Sequence, residues 1–423
     1  MKWSVERSNL KGNISIPASK SHTIRALLIA TLADGESTII RPLTTGDGES
    51  ALIAARAFGS RISEGSDTLT LVGVGADFTP DSSIFMGNSG TGTRLFTTAA
   101  ALGDSEVTFD GDSSLRSRPM LPLLKAIEAL GGSYSCAESE GYLPFTVKGP
   151  LLGGEVTVDG TTSQYLSSLL LTAPLLPSDT VITVENLNEK PYVEMTLWWL
   201  DKMGIEYSAD MDRGEFWVKG GQNYSPINEE IAGDFSSATF SAVASAITGG
   251  PITVSNIDFT DPQGDKGVFE IIESMGVKRL NNSDGSITLI CDTLEGCVID
   301  LNAMPDALPA LAVLGTIAKG ETRLVNVAQA RIKETDRISV MAKELSKMGA
   351  DIEELEDGLI IRESSLKGCE VEGHDDHRIV MALTLAGLVA DGVTTVSTVE
   401  AADVTYPSFA EDFIKLGAKI THL

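Results

Sequence analysis

Residues Arg331–Arg337, "RIKETDR", place three cations and two carboxylates in seven positions of a chain whose net charge is −27. Cations beside carboxylates can bind anions and move protons, because a charged donor strengthens a hydrogen bond to phosphate or carboxylate and an acid or base can sit next to it. Similar groups occur along the chain: Lys20, Ser21 and Arg25 in "SKSHTIR", Gly90 and Arg94 in "GNSGTGTR", Arg118 in "SLRSRPM" and Thr162, Ser163 and Gln164 in "TTSQ". Further on come Lys190 and Tyr192 in "NEKPYVEM", Lys266 in "PQGDKGV", Asp306 in "PDALP", and His377 and Arg378 in "DDHR". "GNSGTGTR" lacks the Gly-Lys-Ser/Thr ending of a P-loop. His374 and His377 have no cysteine partner and no HExxH context, so no metal is expected.

The elements that must position these groups follow from a repeat. A helix ending in an apolar residue and Gly recurs as "ARAFG", "IEALG", "LDKMG", "IESMG", "LSKMG" and "FIKLG", with glycines at 59, 131, 204, 276, 349 and 417. Each Gly fits the left-handed position that closes a helix. A second series, "LADGESTII", "ALGDSEVTF", "ITGGPITVS", "IAKGETRLV" and "VADGVTTVS", interleaves with it, and Pro177-Ser178 supplies the turn of the missing member. Each unit of about 72 residues thus holds two helices, each followed by a strand, and hairpins such as "RISEGSDTLTLVGV" add more strands. Six βαβαββ units are too many for one core, so two α/β domains of three units are expected. Their bounds read as 18–232 for one, and 1–17 plus 233–423 for the other. A solenoid of stacked units is the competing architecture, but no unit reads as a polar cap.

The first helices of successive units begin near Lys20, Gly90, Ser163, Ser236, Asp306 and His377, at separations of 70, 73, 73, 70 and 71 residues. The polar motifs therefore share one structural place. Helix N-termini carry free N–H groups and partial positive charge, and they bind anions. Ser, Thr or Asp at such places is ordinary capping. Capping does not explain Lys20, Arg25, Arg94 or Arg378, since a cation there opposes the helix dipole unless an anion lies between. "KETDR" is expected to start an amphipathic helix, with Lys333 and Arg337 on one face and Glu334 within reach of Arg337.

The composition narrows the classes. A chain of 423 residues with 42% hydrophobic content can bury a large core. Its acidity and lack of a basic stripe argue against nucleic acid. No apolar run is long enough to span a bilayer. "MKWSVERSNLKGN" has no apolar signal region, and the cysteines at 136, 291, 297 and 369 form no CxxC pair. A cytoplasmic location is expected.

In order along the chain, "PASKSHTIRALL", "GNSGTGTR", "SLRSRPM", "TTSQYLSSLLLTAPL", "KPYVEMTL", "GDFSSATF", "PDALPALAVL", "RIKETDRI" and "DDHRIVMAL" make the sequence resemble the EPSP synthase (3-phosphoshikimate 1-carboxyvinyltransferase) family over essentially its whole length. The resemblance implies two inside-out α/β barrel domains with the active site in the cleft between them. It also implies transfer of the enolpyruvyl group of phosphoenolpyruvate to the 5-hydroxyl of shikimate 3-phosphate, without cofactor or metal, by a monomer whose partners are those two small molecules. Residue by residue, it makes Lys20, Ser21, Arg25, Thr162, Ser163, Gln164, Tyr192, Asp306 and Lys333 contacts of shikimate 3-phosphate. Lys20, Gly90, Arg118, Gln164, Arg337 and Arg378 become contacts of phosphoenolpyruvate. Asp306 is then the proton acceptor from the 5-hydroxyl, Glu334 the proton donor to the enol carbon, and Lys20 the third catalytic group.

The match has departures. Glu189 stands where many members have Ser, Gln329 where some have Asn, and Val404 where many bacterial members have Lys. The related transferase acting on UDP-N-acetylglucosamine carries a reactive cysteine just ahead of an Arg-Pro pair. "GDSSLRSRPM" has none, and Cys136 reads as a buried, inert thiol. A non-catalytic anion-binding homologue would not need both Asp306 and Glu334. An RNA-end-processing protein built of similar units is disfavoured by the net charge.

Overall fold

The computed structural model describes residues 1–75 and 78–423. The chain folds as two compact units, Ala18–Ile231 and Met1–Pro17 with Ala232–Leu423. The described strands form six four-stranded sheets, three in each unit. Every sheet pairs two parallel strands and adds two antiparallel ones, and in four of the six an inner helix joins the parallel pair directly. A parallel pair needs a long crossover, which the helix supplies, whereas the antiparallel pair closes through a short turn. Burial alternates along the strands, as in Thr180–Glu185, so each sheet has one face in the core and one in solvent.

In the unit Ala18–Ile231 the core is built round helices Lys20–Leu32, Gly90–Ala100 and Ser163–Thr172. They are buried on nearly every side, so they form the inside of the barrel and the sheets its wall. Their many small and hydroxylated residues permit close packing, and most of the buried hydroxyls bond within the core, Thr172 Oγ1 being an exception. Thr93 and Thr97 each donate to the carbonyl four residues back at 2.6 Å. The hydroxyls of Thr98 and Ser168 meet at 2.6 Å and tie two of these helices together. Helices Asp47–Ala57, Leu121–Ala129 and Lys190–Lys202 are less buried and cover the core from outside. The strand Asn228–Glu230, last in this unit, pairs in parallel with Glu36–Ile40 and completes the first sheet.

The other unit repeats the plan with inner helices Phe235–Thr248, Leu308–Ile317 and His377–Val389. Helices Gly267–Ser274, Arg337–Lys347 and Phe409–Leu416 are its outer set. Two of its sheets take a strand from the chain start. Gly12–Ser15 pairs with Ile252–Ser255, and Lys2–Glu6 lies between Val393–Ser397 and Lys419–His422. The six helix-closing glycines all have positive φ, from 68° at Gly204 to 119° at Gly276, as their spacing predicts. No described helix is long and apolar enough to cross a membrane.

The N-terminal strand sits directly on an inner helix. A Cβ at Gly387 would come within 3.0 Å of Val5, whose side chain is fully buried. Overpacking of this kind costs roughly 1–3 kcal/mol. We expect Gly387→Ala to be destabilising in denaturant unfolding, and Val5→Ala, which removes Cγ1 but keeps the Cβ at 3.0 Å, to relieve it only in part. Additive effects would remove this contact from the account.

Candidate active site

Five of the six inner helices are capped by a side chain in the ordinary way. Ser19, Ser89, Thr162, Asp234 and Asp376 accept the N–H of His22, Gly92, Gln164, Ser236 and Arg378, respectively. The sixth helix, Leu308–Ile317, has no side-chain cap and is entered through the short turn Pro305–Ala307. Asp306 lies in that turn, and its carboxylate serves another purpose. It accepts from Arg337 Nη1 at 2.7 Å and from Arg378 Nη2 at 3.0 Å.

Arg337 is the centre of this cluster and is 1% exposed. Its Nη2 donates to Glu334 at 2.6 Å, and its Nε and Nη2 donate to Asp376 at 2.8 and 3.2 Å. One guanidinium thus holds three carboxylates, Asp306, Glu334 and Asp376. Burial alone would lower the pKa of Arg337, but Asp376, Glu334 and Asp306 outweigh it and hold the guanidinium above its ordinary value. Burial pushes the Asp376 carboxyl up, and Arg337 more than reverses that shift. His377 is pushed down to about 3 by burial and by Arg378, so it is neutral at physiological pH. Arg378 is 2% exposed, and its Nε has no hydrogen-bond partner.

"KETDR" departs from its expected shape. The helix begins at Arg337 with Asp336 as its cap, so Lys333, Glu334 and Thr335 precede it. Lys333 has non-helical backbone after the turn Ala328–Ile332, and it does not share a helix face with Arg337. The reason is local. Asp336 accepts the N–H of Ser339 at 3.0 Å and also Arg331 Nη1 at 2.6 Å, which fixes the helix start at Arg337, four residues after Lys333. Thr335 donates to Asp376 at 3.0 Å, which places the loop against the helix His377–Val389. The expected Glu334–Arg337 pair is present.

In the unit Ala18–Ile231, Lys20 is the first residue of its helix and pairs with Asp47 at 3.2 Å, both largely buried. Arg25 donates to Thr196 Oγ1 at 2.9 Å, Ser167 Oγ at 3.3 Å, and the carbonyls of Tyr192 at 3.1 Å and Ser21 at 3.0 Å. These partners are uncharged, and burial lowers its pKa to about 10, so it stays a cation at neutral pH. Tyr192 is half-buried in the first turn of Lys190–Lys202. Gln164 accepts from Arg94 Nη1 at 2.7 Å. Arg118 lies between two short helices and donates to Asn88 and to Ser114 Oγ, the latter at 3.2 Å. A Cβ at Gly90 would meet Arg118 Nη1 at 2.8 Å and Arg94 Nη1 at 3.4 Å, so a side chain there would push the Arg118 guanidinium from the helix start.

The fold brings the named residues together as two groups, one in each unit. Sequence reasoning did not single out Asp47, Asn88 or Asp376. Asp47 and Asn88 carry no local signal, since each partner is remote in sequence. Asp376 stands in "DDHR", and its structure is that of a cap and a partner of Arg337. His374 faces Glu344 at 3.0 Å, and Lys347 already bonds both Glu344 oxygens, at 2.8 and 2.6 Å. Cys136 is half-buried rather than buried, with its Sγ accepting from the Gly141 N–H at 3.2 Å. Gln329 is buried and donates to the carbonyl of Asn302 at 3.1 Å, a backbone contact at the base of the same loop. Val404 ends a short helical turn.

The family described as EPSP synthase (3-phosphoshikimate 1-carboxyvinyltransferase) matches residues 5–413. The chain is 52% identical over 418 residues to a 3-phosphoshikimate 1-carboxyvinyltransferase of Acetivibrio thermocellus, covering 99% of this chain and 98% of that protein. A protein of the same name from Ruminiclostridium cellulolyticum is 50% identical, with 98% of each chain covered. One from the archaeon Methanocella arvoryzae is 42% identical, with 98% of this chain and 99% of that one covered. The fold is similar to a solved EPSP synthase of Acinetobacter baumannii, with a TM-score of 0.81, 28% identity and all of both chains covered. With a family match across nearly its whole length and full-length relatives at this identity, the chain belongs to the EPSP synthase family.

Proposed function

We propose that the protein transfers the enolpyruvyl group of phosphoenolpyruvate to the 5-hydroxyl of shikimate 3-phosphate, releasing phosphate, as the names of its relatives indicate for them. The single observation that carries a residue-level reading is the sharing of Arg337 by Asp306 and Glu334. The reaction needs a base for the hydroxyl and an acid for the enol carbon, and two carboxylates on neighbouring nitrogens of one guanidinium supply such a pair. In this reading Asp306 takes the hydroxyl proton. Glu334 protonates the methylene carbon, which makes C2 electrophilic. Attack by the oxygen gives a tetrahedral intermediate, and loss of phosphate from C2 together with return of a methyl proton to Glu334 restores the double bond.

The salt bridge from Arg337 holds Glu334 as a carboxylate in this arrangement. Phosphoenolpyruvate is itself an anion that would engage Arg337. By competing for that guanidinium it would release Glu334 to take up and pass on a proton. Arg378, already turned to Asp306, is a second guanidinium that can engage the same anion. For shikimate 3-phosphate, Arg25 is the favoured anchor, because a buried cation surrounded only by hydroxyls and carbonyls gains most from an anion. Lys20, Ser21, Thr162, Ser163, Gln164, Tyr192 and Lys333 complete that set. The reading involves no nucleic acid and no membrane, and it needs no second subunit or cofactor.

Phosphate should appear only when both substrates are mixed with the protein, and neither alone should yield it above background. A pair that gives no phosphate would end the assignment. Glu334→Gln should lower kcat by about 100-fold or more, the size of a general-acid contribution, while shikimate 3-phosphate binds within about 3-fold of the parent. Unchanged turnover would remove Glu334 from the acid role.

A further inference from the structure

Glu189 is 1% exposed and stands at the start of the outer helix Lys190–Lys202 with left-handed backbone, φ 54° and ψ 38°. Its side chain does not cap its own helix. Instead it crosses to the inner helix Ser163–Thr172. There one oxygen, Oε2, accepts the Ser163 N–H at 3.1 Å, the Ser163 hydroxyl at 2.8 Å and the Thr162 hydroxyl at 3.5 Å. A backbone N–H at a helix start and two hydroxyls are the donors a phosphate oxygen would use. The carboxylate occupies them already.

We propose that Glu189 is a resident anion in the phosphate subsite, and that a phosphate monoester binds there only by displacing it. The inference rests on the reading above, in which Thr162 and Ser163 contact shikimate 3-phosphate, and it takes their donors as those that meet its phosphate. Two anions cannot share one set of donors at hydrogen-bond distance without strong repulsion. The protein therefore binds the phosphate in the fraction of molecules whose Glu189 has swung away, and the apparent dissociation constant rises by the inverse of that fraction. Glu189 in this account lowers affinity for the phosphorylated ligand and leaves contacts to the ring untouched. It is a specificity-setting residue, not a catalytic one.

Calorimetric titration of the parent, Glu189→Gln and Glu189→Ser with shikimate 3-phosphate, shikimate and inorganic phosphate tests this. The Gln variant keeps the volume and a hydrogen-bond acceptor but loses the charge, and Ser removes the carboxylate and leaves only a short hydroxyl. Both should bind shikimate 3-phosphate at least about tenfold more tightly than the parent, which is the effect of about 1.4 kcal/mol. Shikimate should change by less than about twofold, and inorganic phosphate should compete better in both variants. A purely structural role would shift the melting temperature and all three ligands together, and that result would overturn the proposal. So would a parent that turns over both substrates while neither variant binds shikimate 3-phosphate more tightly; the reaction assignment would then stand and only the role of Glu189 would fall. A parent that neither binds shikimate 3-phosphate nor releases phosphate would overturn both.

Discussion

The six inner helices have almost no exposed side, so their flanks carry mostly apolar residues and hydroxyls, with charged groups kept to their first two turns. Polar chemistry is left to their ends. The N-terminal ends bear unsatisfied N–H groups and partial positive charge, which must meet an acceptor. Everything distinctive about the site follows from how this acidic chain meets that requirement. It uses its own carboxylates. Asp47 faces Lys20, Glu189 faces Ser163, and Asp306, Glu334 and Asp376 surround Arg337.

These internal pairs have two consequences. A buried cation with no counter-charge is costly, and removing one member of a buried pair typically costs about 3–5 kcal/mol. The carboxylates therefore keep a strongly basic cluster folded before any ligand arrives. The same contacts also mean that an anionic substrate meets donors that are already engaged, and it gains only what it exceeds the resident carboxylate by. At Arg337 that exchange has a chemical use in the proposed mechanism, since it uncouples Glu334 from its partner. At Glu189 it has no evident catalytic use, and its effect is on which ligands are favoured.

Much of this plan was legible in the sequence. The glycine series marks the helix ends because a left-handed residue is needed there, and the 70- to 73-residue spacing of polar motifs marks equivalent helix starts. Two inside-out barrels of three units each agree with the sheets observed and with the solved relatives. What the repeat could not reveal is which strand completes which sheet when the chain passes from one unit to the other. Lys2–Glu6 and Gly12–Ser15 are ordinary short strands in sequence, and only pairing shows that they close sheets begun hundreds of residues later. In the site, Asp306 reads locally as a cap. It is distinguished only by two arginines, 31 and 72 residues away in the chain. The start of "KETDR" was misplaced because two nearby partners of Asp336, Ser339 and Arg331, decide it, and helical periodicity does not register them.

The central claim is that the protein breaks the bond between carbon and oxygen in phosphoenolpyruvate, and not the bond between phosphorus and oxygen. A heavy-oxygen label at the bridging position of phosphoenolpyruvate separates the two outcomes directly. Addition of the hydroxyl to C2 followed by elimination sends the label out with phosphate, and the ring product gains an unlabelled enol ether oxygen. Mass spectrometry of the phosphate released in the presence of shikimate 3-phosphate should show the label there in full. Label retained in pyruvate, with unlabelled phosphate, would mean simple phosphate-ester cleavage and would contradict the account.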